Sequence, residues 1–132
     1  MATIFTRIVK GEIPSYKIAE TEDFYAFLDI NPLSKGHTLV IPKLETYYIF
    51  ELGDSQLSSL TLFAKKVALA IDKAIDCQRV GVAVLGLDVP HTHIHLIPLV
   101  DGSEINFSRP KLQFSPEEMQ KIADTIAQNI NY

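Results

Sequence analysis

Apolar residues recur at helical spacing in three stretches of the chain. Residues 54–75 place them on one stripe of a long helix, for which Asp54 is the expected N-cap. Residues 3–10 have the same spacing over a shorter length and predict a short amphipathic helix. Residues 115–118 have the pattern of a capping box, so a third helix is predicted to begin there and to continue to Ile130.

Extended segments with alternating or β-branched residues lie between these helices and predict about five strands. They cover residues 16–19, 24–28, 37–41, 80–87 and 91–97. No repeat or linker divides the chain, so residues 1–132 are expected to form a single α+β domain. Its architecture would be a meandering antiparallel sheet with one long central helix, a short N-terminal helix and a C-terminal helix packed against it.

The charge distribution and the single cysteine indicate which partners and which cellular compartment are expected for this chain. Twelve basic and sixteen acidic residues give a net charge of −4 without any basic block, so a nucleic-acid-binding surface is not expected. No uncharged stretch reaches the roughly 18 residues of a membrane span, and charged residues interrupt the N-terminus too early for a signal sequence. Cys77 is the only cysteine, which excludes an intrachain disulfide and fits a reducing compartment. The expected location is the cytoplasm, with neither nucleic acid nor membrane as a partner.

Three of the four histidines alternate along one predicted strand. His91, His93 and His95 would project from one face of that strand at intervals of about 6.6 Å, whereas a helix would scatter them. Imidazole acts near neutral pH as nucleophile, general acid, general base or metal ligand. The residues alone therefore leave three interpretations: a nucleophilic site, a metal site and a solvated histidine-rich face.

The run resembles the signature of the histidine triad (HIT) hydrolases and transferases, His-φ-His-φ-His-φ-φ with φ apolar, in which Thr92 is the one soft match. Further blocks resemble the same family in its order and spacing. They are Ile4-Phe5, Ile8, Gly11-Glu12-Ile13-Pro14, residues 27–32 and residues 36–43. The resemblance covers residues 3–100 and implies the HIT fold, which agrees with the architecture predicted above.

The resemblance also implies a role for each histidine. His93 would be the nucleophile that attacks the α-phosphorus of a nucleotide. His91 and His95 would flank it, orienting the ring, holding phosphate oxygens and managing the leaving-group proton, and His37 would complete the cluster. Asp29 would accept hydrogen bonds from the ribose hydroxyls, the role favoured here, whereas without the resemblance it would be a turn or N-cap carboxylate beside Asn31 and Pro32.

An apolar slot for a purine ring is implied at six further positions, which composition alone would assign to the core. They are Phe5, Ile8, Ile13, Phe27, Ile30 and Leu39. Many members of the family carry a structural zinc on a Cys-x-x-Cys pair and a histidine, but residues 4–7 and 43–45 offer neither residue type, so no metal is expected. Residues 84–90 are shorter and more apolar than the family's phosphate-binding loop, and Asp88 would repel a phosphate unless it points away.

The expected function is hydrolysis of purine nucleoside 5′-phosphoramidates or adenylated compounds through a phosphohistidine on His93. No cofactor is expected, and members of the Hint-like branch are usually homodimers. Three alternatives stay open. These are hydrolysis of dinucleoside polyphosphates, a nucleotide-binding module with little turnover, and a metal site on the histidines with Asp29 as a further ligand.

Overall fold

Alternation of side chains along the central strands gives the sheet two buried faces. The computed structural model describes residues 2–132, with eight regular elements. These are α1 (Ile4–Val9), β1 (Lys17–Glu20), β2 (Phe24–Leu28), β3 (Thr38–Pro42), α2 (Asp54–Ala74), β4 (Arg79–Ala83), β5 (Ile94–Leu99) and α3 (Pro116–Ala127). The predicted α+β class, the five strands and the three helices are confirmed.

The sheet is antiparallel throughout, with the strand order β1-β2-β3-β5-β4. The first three strands meander as predicted. The last two depart from a simple meander, because β5 inserts between β3 and β4 and leaves β4 at the edge. This insertion brings the histidine strand to the middle of the sheet.

One face of the sheet packs on α2 and α3, and the other packs on α1. The first face buries alternate residues of the central strands: Phe24, Ala26, Leu28, Val40, Ile94 and Leu96. The intervening residues point to the α1 side, where a smaller cluster forms. It contains Phe5, Ile8, Tyr25, Phe27, Leu39 and Ile41. The predicted nucleotide slot therefore lies on the thinly covered face of the sheet.

The strands next to the histidines are shorter than predicted. β4 ends at Ala83 instead of residue 87, and β5 begins at Ile94 instead of residue 91. Gly86 has a left-handed backbone with φ of 73°, which breaks the extended ladder. Thr92 donates its N–H to the carbonyl of Thr46 at 2.6 Å instead of to a strand neighbour. Residues 84–93 thus form a loop that carries two of the histidines.

The helix boundaries follow their caps. Ser115 forms the predicted capping box with Glu118, and Thr3 caps α1 by accepting from the N–H of Thr6. The predicted N-cap of α2 was wrong by one residue, because Gly53 occupies that position and Asp54 is the first helical residue, where its charge complements the helix dipole. Among residues 2–132, no helix combines the length and apolar character that a membrane crossing requires.

Candidate active site

The histidines gather where the loop enters β5. The ring centroids of His93 and His95 are 5.0 Å apart, and those of His37 and His95 are 5.2 Å apart. His37 is positioned by the turn that precedes β3, and His95 by the ladder of β5. All four histidines, including His91, are buried. The structure therefore brings together side chains that lie up to 58 positions apart in sequence.

His93 carries its proton on Nδ1 and has a free Nε2. The Nδ1 atom lies 2.7 Å from the backbone carbonyl of His91, and since a carbonyl can only accept, the proton must reside on Nδ1. The ring of Phe5 holds the imidazole edge-on, with centroids 5.2 Å apart. His93 lines the main cavity of the molecule. A neutral imidazole with an unoccupied nitrogen beside a cavity is suited to nucleophilic attack.

His37 and His95 form a directional hydrogen-bond chain. The N–H of Leu33 donates to Nδ1 of His37 at 3.0 Å, so the proton of that ring is on Nε2. His37 Nε2 then donates to Nδ1 of His95 at 2.9 Å. His95 must in turn carry its own proton on Nε2. The backbone of the loop before β3 thereby fixes a hydrogen-bond donor on a second residue that lines the cavity.

Both members of this pair are neutral at physiological pH. Burial lowers the pKa of His37 to about 3, and the charges of His95 and Lys111 act in the same direction. Burial also lowers the pKa of His95 to about 4, with a smaller contribution from His93. The donor and acceptor roles of the two rings are therefore preserved across the neutral pH range.

The cavity beside His93 and His95 has a volume of about 430 Å³, within the range of small-molecule sites. All seven residues predicted to bind the nucleotide line it. They are Phe5, Ile8, Ile13, Phe27, Asp29, Ile30 and Leu39. Most of them are buried apolar groups, but Ile30 is 69% exposed and lies at the mouth. The structure thus brings the predicted base slot and the histidine cluster to one place.

Asp29 is the carboxylate nearest to the cluster. One of its oxygens accepts the N–H of Asn31 at 2.8 Å, and the other lies 3.6 Å from Nε2 of His37, too far for a hydrogen bond. Burial raises the pKa of Asp29, and the hydrogen bond from Asn31 opposes that rise. The carboxylate keeps acceptor capacity toward the cavity that it lines.

His91 lies behind the cavity, which it does not line. Its ring is fully buried, with Nε2 2.7 Å from the carbonyl of Pro42 and Nδ1 2.7 Å from the hydroxyl of Thr3. Burial lowers its pKa, although the contact with Pro42 opposes the shift. Both ring nitrogens are engaged, so of the roles expected for His91 the geometry favours orientation of the neighbouring ring over contact with phosphate.

One group within residues 2–132 has the composition of a metal site. Asp29, His37 and His95 each offer one ligand atom, and these atoms lie within 4.8 Å of one another. However, Nε2 of His37 already donates to Nδ1 of His95. A metal ion would have to displace that hydrogen bond before it could use both rings.

Sequence reasoning missed two parts of the site. Phe107 packs its ring edge-on against His95, with centroids 4.9 Å apart, although it lies in a segment without periodicity. Leu85, Leu87 and Val89 line the cavity from the loop that was expected to be part of a strand. Asp88, which was expected to repel a phosphate unless it pointed away or was neutral, lines the cavity as well. In the sequence, only Gly86 and the alternating apolar residues around it indicated this wall of the cavity.

The sequence and the fold both match known proteins. A family model described as HIT domain matches residues 10–102. The adenosine 5′-monophosphoramidase of Schizosaccharomyces pombe is 37% identical over 132 residues, which cover 98% of this chain and 99% of that protein. The enzyme of the same name from Saccharomyces cerevisiae is 41% identical over 102 residues, 76% of this chain and 64% of that protein. The crystal structure of a Hit-like protein involved in cell-cycle regulation from Bartonella henselae has a TM-score of 0.83 at 30% identity, covering 96% of this chain and 95% of that chain.

Proposed function

The chain belongs to the HIT domain family, and on that premise we propose that it is a hydrolase of purine nucleoside 5′-phosphoramidates or related adenylated compounds. One observation carries the proposal. The free nitrogen of His93 and the remaining N–H of His95 meet at the wall of an apolar cavity that also contains a carboxylate, Asp29. This combination suits a nucleoside whose phosphate lies over the histidines.

The first step is attack of His93 on the α-phosphorus. The Nε2 lone pair forms a bond to phosphorus while the bond to the leaving nitrogen, already protonated, breaks and the amine departs. The carbonyl of His91 keeps its hydrogen bond from Nδ1–H of His93 and stabilises the positive charge that develops on the ring. His95 donates its Nε2–H to a phosphate oxygen, whose negative charge it stabilises, and keeps the proton.

The second step releases the nucleotide. Water attacks the phosphorus of the phosphohistidine, the bond to Nε2 breaks, and a nucleoside monophosphate and a proton are released. His93 thereby returns to its neutral form with the proton still on Nδ1. The cycle requires no charge on His37 or His95, in keeping with their lowered pKa values.

The nucleoside would occupy the cavity in one orientation. Phe5 and Phe27, with ring centroids 5.5 Å apart, and the aliphatic groups around them would enclose the purine. Asp29 would accept the ribose hydroxyls at the boundary between the slot and the histidines. This places the α-phosphate next to His93.

The test is hydrolysis of adenosine 5′-phosphoramidate by the whole chain in excess chelator, alongside His93→Ala. We expect turnover in the wild type and its loss in the variant. Diadenosine polyphosphates assayed in parallel decide between the two hydrolase alternatives. Tight binding of adenosine monophosphate without turnover of either substrate would instead identify a nucleotide-binding module.

A metal-dependent hydrolase is the second candidate, because Asp29, His37 and His95 present ligand atoms within 4.8 Å. The same assay separates it from the first. Activity that disappears with chelator and returns with a divalent transition metal would favour this candidate, whereas activity that survives chelation would exclude it.

We also propose that the protein acts as a homodimer in the cytoplasm. The edge strand β4 has an unpaired side and an exposed Val82, and α2 exposes Leu62 and Leu69 on its outer surface. Edge strands with apolar side chains pair readily with a second copy. The free thiol of Cys77 supports a reducing compartment.

A further inference from the structure

We propose that Thr3 and Glu45 are positioning residues for the nucleophile, acting through the side chain of His91. The inference rests on the proposed function, in which His93 attacks phosphorus. It concerns a hydrogen-bond network that lies outside the cavity and touches no substrate.

The position of the proton on the His91 ring follows from the two hydrogen bonds that the ring makes. Its Nε2 lies 2.7 Å from the carbonyl of Pro42, which can only accept, so the proton is on Nε2. Nδ1 is therefore an acceptor, and the hydroxyl of Thr3 must donate to it across 2.7 Å. A single rotamer of one buried ring thus joins β3 to the N-cap of α1.

The proton of Thr3 is directed to His91 by its neighbours. Thr6 donates its own hydroxyl proton to Glu45 at 2.6 Å, and the backbone N–H of Thr6 donates to the hydroxyl oxygen of Thr3 at 3.1 Å. The hydroxyl oxygens of Thr3 and Thr6 are 3.3 Å apart, a longer contact that would need the same Thr3 proton. Since each hydroxyl has one proton, the shorter contact to His91 prevails.

Glu45 anchors this arrangement from the loop after β3. One carboxylate oxygen accepts both the N–H of Thr3 at 2.9 Å and the hydroxyl of Thr6 at 2.6 Å. These two contacts lower the pKa of Glu45, so the carboxylate is ionised at neutral pH. The charge holds the first turn of α1 against the loop that follows β3.

The network matters because residues 91–93 lie outside the strand ladder. β5 pairs with β3 only from Ile94 onward, so ladder hydrogen bonds do not fix the carbonyl of His91. That carbonyl accepts from Nδ1 of His93 and thereby determines which nitrogen of His93 is free. The N–H of the same peptide unit, that of Thr92, donates to the carbonyl of Thr46. The side chain of His91 supplies the second hold on this peptide and connects it to Thr3 and Glu45.

The same network positions one wall of the cavity. α1, which Thr3 caps, carries Phe5 and Ile8 into the cavity. The Phe5 ring packs edge-on against both His91 and His93, at centroid distances of 5.7 and 5.2 Å. Loss of the network would therefore misplace the nucleophile relative to the bound nucleoside.

The test compares Thr3→Val with Thr3→Ser and with Ser115→Ala. Valine keeps the shape of threonine but removes the hydroxyl, while serine keeps it. Ser115→Ala removes a helix cap far from the site and controls for the loss of a cap. We expect Thr3→Val to lower kcat by about 10- to 100-fold with KM within about twofold, the usual range for a group that orients a functional histidine. Thr3→Ser and Ser115→Ala should retain kcat within about threefold.

Ring ¹⁵N spectra of the same variants give a readout that does not depend on turnover. We expect His91 to show an Nε2–H tautomer and His93 an Nδ1–H tautomer in the wild type. In Thr3→Val, the Nδ1 resonance of His91 should shift because it loses its donor, while the Pro42 carbonyl keeps the proton on Nε2. The Nδ1–H tautomer of His93 should become less populated in Thr3→Val and in Glu45→Ala. If the wild type lacks phosphoramidase activity, the proposed function fails while the spectra still decide on the network. An unchanged His93 spectrum in Thr3→Val, or equal losses of kcat in Thr3→Val and Ser115→Ala, would overturn the proposal.

Discussion

At the scale of single residues, the site depends on where each imidazole keeps its proton. The carbonyl of His91 directs the proton of His93 to Nδ1, and the N–H of Leu33 directs that of His37 to Nε2. The first arrangement leaves a lone pair at the cavity and the second leaves an N–H on His95. In the proposed mechanism, backbone groups therefore determine which ring nitrogen attacks and which ring N–H donates, and no ionised histidine is required.

The buried histidines predict an acid-sensitive fold. His37 and His95 have folded-state pKa values of about 3 and 4, below the ordinary value of 6.5, so the unfolded chain binds more protons as pH falls through 6.5. The free energy of unfolding should decrease below pH 6.5, by up to about 1.4 kcal/mol per pH unit for each of them. Denaturant titrations between roughly pH 5 and 7.5 measure the slope, and His37→Gln should reduce it while leaving the contributions of His95 and His91. A slope of zero in the wild type would contradict the burial of these rings.

Asp29 predicts a preference for ribose. Replacement by Asn keeps the shape but removes the acceptor-only carboxylate, so we expect KM for adenosine 5′-phosphoramidate to rise about tenfold while kcat changes little. The wild type should hydrolyse the 2′-deoxy substrate less efficiently than the ribose substrate, whereas Asp29→Asn should hydrolyse the two with similar efficiency. Steady-state kinetics with both sugars provide the measurement, and equal discrimination in both proteins would assign Asp29 to the turn alone.

At the scale of elements, local signals in the sequence predicted more than long-range contacts did. The capping box at Ser115 and the apolar stripe of α2 depend on neighbours within a few residues, and both were confirmed. The end of β4 and the start of β5 were missed because Thr92 bonds to Thr46, a partner 46 positions away. The position of the His91 ring behind the cavity depends on Thr3, 88 positions away.

Gly36, directly before His37 and β3, has a backbone conformation in which a residue with a side chain would be strained. Its φ of 92° lies in the left-handed region, and an added Cβ would lie 2.9 Å from Cγ1 of Ile75. Gly36→Ala should lower the free energy of unfolding by about 1–2 kcal/mol for the backbone alone, with more from the contact. Gly102→Ala is the matched control, because its φ is 96° and nothing lies within 4 Å. Chemical denaturation that finds equal losses in the two variants would show that Ile75 yields without cost.

At the scale of the whole molecule, one face of the sheet carries the larger part of the hydrophobic core and the other face carries the candidate site. The face toward α2 and α3 contains the larger hydrophobic cluster, whereas the face toward α1 contains the cavity and the histidines. The fold and the gathering of the histidines followed from the sequence together with its family resemblance. The contact of Phe107 with His95 did not, since Phe107 lies in the irregular segment between β5 and α3.

The exposed edge strand β4 predicts a dimer, and a charged side chain introduced on that edge should disrupt it. Val82 on β4 is 64% exposed, and Val82→Lys would place like charges near each other across a paired edge. Sedimentation should find a dimer for the wild type and a monomer for this variant. Leu112→Lys is the control, because Leu112 is 38% exposed but lies outside the sheet, where its backbone N–H donates to the carbonyl of Pro32. A monomeric wild type would refute the proposed assembly.

The most direct test of the account is to trap the covalent intermediate. The whole chain would be mixed with adenosine 5′-phosphoramidate in excess chelator, quenched within milliseconds to seconds, and analysed by intact mass and peptide mapping under alkaline conditions that preserve phosphohistidine. We predict an adenylyl group on His93 that forms and decays at rates consistent with turnover and that is absent from His93→Ala. Turnover without any adduct on His93, or an adduct on another residue, would contradict the assignment of the nucleophile.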